Sequence, residues 1–419
     1  MRIGFDISVL RIAQAGVLEY TRALLAELLH TGAQHEWTLL DLLPLNPGRP
    51  MQADSQLFNA PNTRVVRVPA LQRGYLSMLP GARTGVAHSL AEHVDHALDR
   101  LWALAASGAV GLQLRAALGR ANVFHCSDQF QYVPPRGAAV LTIHDLTTLS
   151  HPEFHVSDNT SLHSAKDRFA ATRATHLIAD SHSTKRDIER HLQVPSERIT
   201  VVHAAAGSQF RPYTPTEIQA TLHGYGLQHD GYILMVGTLE PRKNHTALIN
   251  AYARLRATLA AEGIDAPPLA IAGAHGWKYE DILAAPGRAG VEQHVRWLGK
   301  VPAEHLPVLM AGAQVFAYPS LYEGFGLPVL EALACGAPVV AANNSSLPEV
   351  LGDAGLYCDA LDTESIAQAL GTLLRDGALR AQLRQAGPAR AAQFSWERTA
   401  RETLAVYALA AAAHKTRAK

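Results

Sequence analysis

Glu323-Gly324-Phe325-Gly326-Leu327-Pro328-Val329-Leu330-Glu331 sets two carboxylates, with seven residues between them, around a loop that opens a helix. The preceding run, Ala313-Gln314-Val315-Phe316-Ala317-Tyr318-Pro319, reads as a short buried strand. Leu327 to Ala334 reads as a helix with Pro328 suited to its first turn. Cys335-Gly336 ends it, and Ala337-Pro338-Val339-Val340-Ala341 is the next strand. The loop therefore sits at the carboxyl end of a strand in a βαβ unit, where open α/β sheets place their ligands. Gly324 and Gly326 allow backbone N–H groups close to a ligand, and the helix N-terminus behind them favours an anion. Ionised carboxylates only accept hydrogen bonds, so Glu323 and Glu331 on either side suit hydroxyls. Anion plus hydroxyls describes a nucleotide sugar. Taken alone, an E-G-x-G would more simply be a glycine turn with one surface Glu and one helix-capping Glu.

Working outward, strand-like and helix-like patterns alternate along the whole chain, which predicts parallel sheets. Arg2 to Ile7, Trp37 to Leu42, Val123 to Cys126, Ala139 to Ile143, His176 to Ala179 and Ile199 to Val202 are the strands of a first series. Val17 to Leu29 carries an apolar face at helical spacing. Thr214 to about Asp230 reads as a connector into a second series, with strands at Tyr232 to Val236, Leu269 to Gly273 and Val295 to Gly299. The Ala-rich tail from about Trp396 to His414 is helical. Residues 64–120 hold seven basic and three acidic residues. Val86 to Leu118 can be drawn there as two amphipathic helices bearing Leu90, Val94, Leu98, Leu101, Trp102 and Leu104. They either cap the first domain's core, the default for amphipathic helices, or form a surface for a membrane or a lipid-linked acceptor.

The length, 419 residues, suits two domains. Hydrophobic residues at 48% and charged ones at 18% support well-buried cores. Zero formal net charge argues against a general nucleic-acid binder. Cys126, Cys335 and Cys358 lie in apolar surroundings and read as reduced core residues of a cytosolic protein. The N-terminus reads as a strand, without the apolar run of a signal peptide. No apolar run approaches the ~18 residues a membrane span needs.

Cleaving a sugar from a nucleoside diphosphate requires stabilisation of the departing charge. There is no D-x-D motif, and His144, His151, His155 and His163 lack helical metal-ligand spacing. The expectation is no catalytic metal and no cofactor. Fixed cations are the other solution, and Gly237-Thr238-Leu239-Glu240-Pro241-Arg242-Lys243-Asn244 offers them between a strand and a helix. Arg can bind phosphate bidentately and Lys acts as a point charge. An adjacent Arg-Lys pair is most often a solvated surface pair; a glycine turn at a strand end raises its weight.

Taken together, these stretches resemble the retaining glycosyltransferases of the GT-B fold, specifically glycosyltransferase family 4. The E-x7-E string, the G-x-x-x-x-R-K-N element and a His-Asp element, Thr142-Ile143-His144-Asp145-Leu146, occur in the family's order. The resemblance implies an α/β protein of two Rossmann-like domains facing across a cleft. Residues 1–210 would bind the acceptor and residues 211–395 the nucleotide sugar, with the helix at about 396–414 crossing back to the first domain. It implies that Arg242 and Lys243 contact the diphosphate, Glu323 the hydroxyls of the transferred sugar and Glu331 the ribose. Gly237 and the backbone of Gly324, Phe325, Gly326 and Leu327 would also line the donor site, with Lys300 and Val301 at the nucleobase. His144 would lie beside the transferred sugar. Gly16 falls in the first βα loop, where the family has G-x-G or G-I-G before R-Y; here Leu18 and Glu19 replace the second glycine and the arginine. That departure bears on how closely the loop approaches the donor phosphate. Asp180-Ser181-His182-Ser183-Thr184-Lys185 resembles the family's strand-to-helix element and reads as a helix cap.

Gly237-Thr238-Leu239-Glu240-Pro241-Arg242-Lys243-Asn244, Ala272-Gly273-Ala274-His275-Gly276-Trp277 and Tyr318-Pro319-Ser320-Leu321-Tyr322-Glu323 are most similar to bacterial mannosyltransferases of O-antigen or exopolysaccharide assembly. GDP-mannose is then the leading donor, with UDP-hexose or a dTDP-deoxyhexose as alternatives. A glycan or polyprenyl-diphosphate-linked acceptor is implied, as is a cytoplasmic protein with peripheral contact at the membrane's inner face. Outside transfer itself, a GT-B phosphorylase or epimerase would need its own catalytic groups, and no pyridoxal-phosphate lysine is assignable. A non-catalytic nucleotide-binding scaffold is disfavoured by the intact Arg242, Lys243, Glu323 and Glu331.

Overall fold

The computed structural model describes residues 1–12, 15–44, 59–70, 109–126, 132–155 and 167–417. The two amphipathic helices drawn for Val86 to Leu118 fall largely outside these residues; within them, Ala109–Leu118 is helical. His163 is also outside.

Two sheets carry the chain. The first contains β1 (Arg2–Asp6), β2 (Glu36–Pro44), β3 (Thr63–Ala70), β4 (Val123–Cys126), β5 (Ala138–Ile143), β6 (His176–Ala179) and β7 (Ile199–Val201), in the order β3-β2-β1-β4-β5-β6-β7. The second contains β8 (Ile233–Val236), β9 (Leu269–Ala272), β10 (Val295–Gly299), β11 (Val315–Tyr318), β12 (Val339–Ala342) and β13 (Gly355–Cys358), ordered β10-β9-β8-β11-β12-β13. All pairs of the second sheet are parallel. Continuous apolar strands such as Ile233-Leu234-Met235 and Val315-Phe316-Ala317-Tyr318 are buried on both faces, as parallel sheets require. The strand order reverses between β8 and β11, so the loops leaving these two neighbours bound a topological switch point.

Two strands, β3 and β13, escape sequence patterning. Thr63-Arg64-Val65-Val66-Arg67-Val68-Pro69-Ala70 interleaves arginines, and Gly355-Leu356-Tyr357-Cys358 is half exposed and opens on glycine. The connector predicted from Thr214 holds a helix, Pro215–Gly224. Thr214 accepts from the Glu217 amide while Glu217 accepts from the Thr214 amide, a capping box with Pro215 in the first turn. That signature is written in Thr214-Pro215-Thr216-Glu217 and outweighs the polar composition that suggested a linker.

The chain divides into two compact units. One takes the described residues of Met1–Thr142 and Lys166–Ile178 together with Ala400–Lys419; the other takes those of Ile143–Ala165 and Ala179–Thr399. The last strand of the first sheet, β7, ends at Val201, and the first strand of the second, β8, begins at Ile233. The compact units divide differently: the turns leaving β5 and β6 fall in the second unit, where Ser181 and Thr184 donate to the Gly324 carbonyl of the loop leaving β11. Within the first unit, Tyr407 of the helix Trp396–Arg417 is fully buried, and its hydroxyl lies 2.6 Å from His125 Nδ1. His125 Nε2 in turn meets Thr142 Oγ1 at 2.9 Å. All three cysteines are buried free thiols, and burial pushes Cys126 and Cys358 up to about 12.

Candidate active site

The loop leaving β8 and the loop leaving β11 are sewn together by backbone and amide contacts. Pro241–Lys243 forms one 3-10 turn, and Asn244 follows in the left-handed region at φ 63°. Asn244 Nδ2 donates to the carbonyls of Pro319 (3.0 Å) and Ala360 (2.8 Å), and the Leu321 amide donates to the Arg242 carbonyl at 2.9 Å. This geometry brings Arg242 and Lys243 onto Glu323. Arg242 Nη1 donates to Glu323 Oε2 at 2.8 Å, and Lys243 Nζ donates to Oε1 at 2.6 Å. Tyr318 and Ser320 hydroxyls add bonds to Oε1 at 2.9 and 2.7 Å. The second guanidinium nitrogen of Arg242 donates to Glu240 Oε1 at 2.7 Å.

Glu240, Glu323 and Lys243 are all buried. Burial alone would raise the Glu323 carboxyl, but Arg242 and Lys243 outweigh it and hold the group at about 2. Burial also works against charge on Arg242; Glu323 and Glu240 reverse that and raise it. Lys243 is lowered by burial and by its Arg242 neighbour, with Glu323 opposing. Two acids and two bases thus form a charge-balanced buried cluster at the switch point. Buried charge is tolerable only when paired in this way.

Next to the cluster, the backbone of Glu323 to Phe325 is fixed by serines. Ser346 Oγ donates to the carbonyls of Glu323 (2.9 Å) and Phe325 (2.8 Å), and Ser345 Oγ accepts from the Glu323 amide at 3.0 Å. The amides of Gly324, Phe325, Gly326 and Leu327 donate to no acceptor among the described residues. Gly326, at φ 104°, opens the helix Leu327–Ala334 with no side-chain cap. Four unpartnered amides at a helix N-terminus beside Arg242 and Lys243 make an anion site.

His144 follows β5 and its Nδ1 lies 2.6 Å from Asp180 Oδ2. Asp145 closes a local turn, accepting from the Thr147 amide and hydroxyl at 3.1 and 2.6 Å. The Ser181 side chain accepts from the Thr184 amide, so it caps the helix His182–Leu192 as its sequence suggests. The second unit therefore brings together His144, Gly237, Arg242, Lys243, Glu323 and the loop Gly324–Leu327. Glu331 is half-buried on the helix that this loop opens. Lys300 is exposed and Val301 half-buried after β10. Gly16 lies in the other unit, exposed in the first turn of the helix Ala15–Thr31.

Among the described residues one trio, His182, His203 and Glu349, has donor atoms close enough for a metal ion, all within 4.8 Å. It shares no residue with the charged cluster. Glu349 already accepts from the amides of His182 and Ser183, both at 2.8 Å, and Arg390 donates to the Glu349 carbonyl at 2.5 Å. A helix N-terminus and a guanidinium beside the trio disfavour a cation; Glu349 serves as the cap of that helix.

Residues 226–390 match the profile of the Glycosyl transferases group 1, and residues 79–205 that of Glycosyltransferase Family 4. The O-antigen chain mannosyltransferase B of Escherichia coli is 39% identical over 284 residues, 66% of this chain and 72% of that protein. The chain belongs to the group 1, family 4 glycosyltransferases. The serotype-specific mannosyltransferase WbdA of Escherichia coli is 32% identical to this glycosyltransferase over 266 residues, 62% of it and 32% of WbdA. Sucrose-phosphate synthase of Thermosynechococcus elongatus aligns over 98% of both chains with a TM-score of 0.70 at 20% identity, a likeness of GT-B fold. No helix among the described residues of this glycosyltransferase is long and apolar enough to cross a membrane.

Sequence reasoning missed four groups in the candidate site: Glu240, Tyr318, Ser320 and Asp180. All four stand inside the motifs named above, and only the folded loops reveal that the first three converge on Arg242 and Glu323. Asp180 could have been found from strand order, because β5 and β6 are sheet neighbours and end side by side.

Proposed function

We propose that this glycosyltransferase moves a hexose, mannose from GDP-mannose in the first instance, onto a glycan or lipid-linked acceptor of O-antigen or exopolysaccharide. The observation that carries the donor class is the set of four unpartnered amides, Gly324 to Leu327, beside Arg242 and Lys243. A diphosphate would accept from these amides and draw on the two cations, which stabilise the charge developing on the leaving group. Glu323 would then divide its lone pairs between the cations and sugar hydroxyls, and Glu331 would accept from ribose hydroxyls. Lys300 and Val301 would flank the nucleobase. With cations built into the protein, departure of the diphosphate needs no metal. Retention at the anomeric carbon follows the family resemblance. Mannose rests on the names of the two Escherichia coli relatives. The work site would be cytoplasmic, at the inner face of the membrane.

The test is calorimetry with GDP, UDP, dTDP and ADP, in EDTA and then in magnesium, followed by GDP-mannose turnover. Selective GDP binding in EDTA is expected. Arg242→Ala or Lys243→Ala should each cut turnover by about 100- to 1,000-fold, and Glu331→Ala should chiefly weaken GDP binding. Selectivity for UDP or dTDP would replace the donor; magnesium-dependent binding would refute metal independence; no nucleotide binding would refute the donor site.

A further inference from the structure

Asp180 is a buried carboxylate, 4% exposed, at the end of β6. Its Oδ2 accepts from His144 Nδ1 at 2.6 Å, and its Oδ1 has no hydrogen-bond partner among the described residues. A buried carboxylate this poorly supplied with donors holds its imidazole proton firmly, because losing that bond would leave the charge without compensation. A carboxylate oxygen at this distance accepts, so Nδ1 is the donor and the proton on that nitrogen is fixed. The residues that follow Asp180 act on the facing loop. Ser181 Oγ donates to the Gly324 carbonyl at 2.6 Å, and Thr184 Oγ1 donates to the same carbonyl at 3.0 Å. Ser181 and Thr184 are fully buried. A Cβ at Gly324 would fall 1.8 Å from the His144 carbonyl oxygen, so the two loops meet backbone to backbone.

We infer that the turn at the end of β6 positions the reaction site: Asp180 fixes the tautomer and ring plane of His144, and Ser181 with Thr184 registers the loop Glu323–Leu327 against it. Asp180 is a positioning residue. Its effect on turnover rests on the donor reading above.

Three variants test this: Asp180→Asn, which keeps the shape and removes the charge; Asp180→Glu, which restores it; and His144→Asn. Asp180→Asn should lower kcat/KM for GDP-mannose about ten- to a hundredfold, the worth of one charge-assisted hydrogen bond. GDP affinity should stay within about twofold, since Asp180 touches no phosphate-binding group. Asp180→Glu should recover part of the loss. The double variant Asp180→Asn/His144→Asn should be no slower than His144→Asn, because the two residues act as one unit. Additive losses, or GDP affinity falling in step with turnover, would overturn the positioning role. A second readout needs no turnover. In protein labelled with ¹⁵N-histidine, the wild type should show a downfield Nδ1 proton that is missing in both His144→Asn and Asp180→Asn. Its absence from the wild type would overturn the pair. Wild-type protein that shows the proton and binds no nucleotide would instead refute the donor reading.

Discussion

Gly16 and Gly324 carry the same expectation, a glycine where backbone meets donor, in opposite surroundings. Gly16 is exposed, and a Cβ there would touch nothing within 4 Å among the described residues. Its neighbour Glu19 pairs with Arg22 at 3.0 Å along the exposed face of the same helix. Gly324 is walled in by the His144 carbonyl, held through its own carbonyl by Ser181, and adjoins three buried charges and the half-buried Arg242. The first loop is an ordinary helix start, and the second is built so that only glycine fits. A departure from the family pattern is therefore tolerable at the exposed Glu19 and would be costly at Gly324.

The sharpest way to break this contrast is at Glu323. Glu323→Ala leaves Arg242 and Lys243 buried without their shared carboxylate and should cost about 3–5 kcal/mol in a denaturant titration. The same carboxylate predicts a pH effect of definite sign. Its folded value, about 2, lies below its ordinary 4.5. Its stabilisation is therefore complete above pH 4.5 and is lost as pH falls towards 2, by about 3 kcal/mol in all. Glu323→Gln should flatten the acid limb of the stability curve over that range; an unchanged limb would mean that the cluster is not charged.

Gly324→Ala should cost about 1–3 kcal/mol, since backbone must move to admit the methyl group, and should weaken GDP binding in calorimetry. A variant as stable as the wild type would show that the close approach to His144 is not rigid. Gly16→Ala is expected to be nearly silent, shifting stability by at most about 1 kcal/mol and in the stabilising direction. A large loss there would reveal enclosure of the first loop.

The same contrast explains what the sequence disclosed. β4, β6 and β10 have the limits their apolar runs suggest, and Leu327–Ala334 is the helix that Pro328 and Gly336 delimit. These features depend on local pattern. β3 and β13 went unread because edge strands carry mixed faces, and Pro215–Gly224 because a polar stretch hid its capping box. The charged residues Arg242, Lys243 and Glu323 were legible from spacing. Their pairing with Glu240, Tyr318 and Ser320 was not, since it requires loops from β8 and β11 to fold against each other. Asp180 stayed hidden for the same reason: it acts on a residue thirty-six positions away along the chain.

The buried thiols give the molecule a clock. Alkylation proceeds through the thiolate, and burial keeps Cys126 and Cys358 up at about 12 and raises Cys335 as well. Iodoacetamide should therefore mark these positions only when the chain around them opens. Cys126 stands in one compact unit, Cys335 and Cys358 in the other. Timed alkylation read by peptide mass spectrometry would record, in a single unmodified sample, whether the two units loosen together or separately.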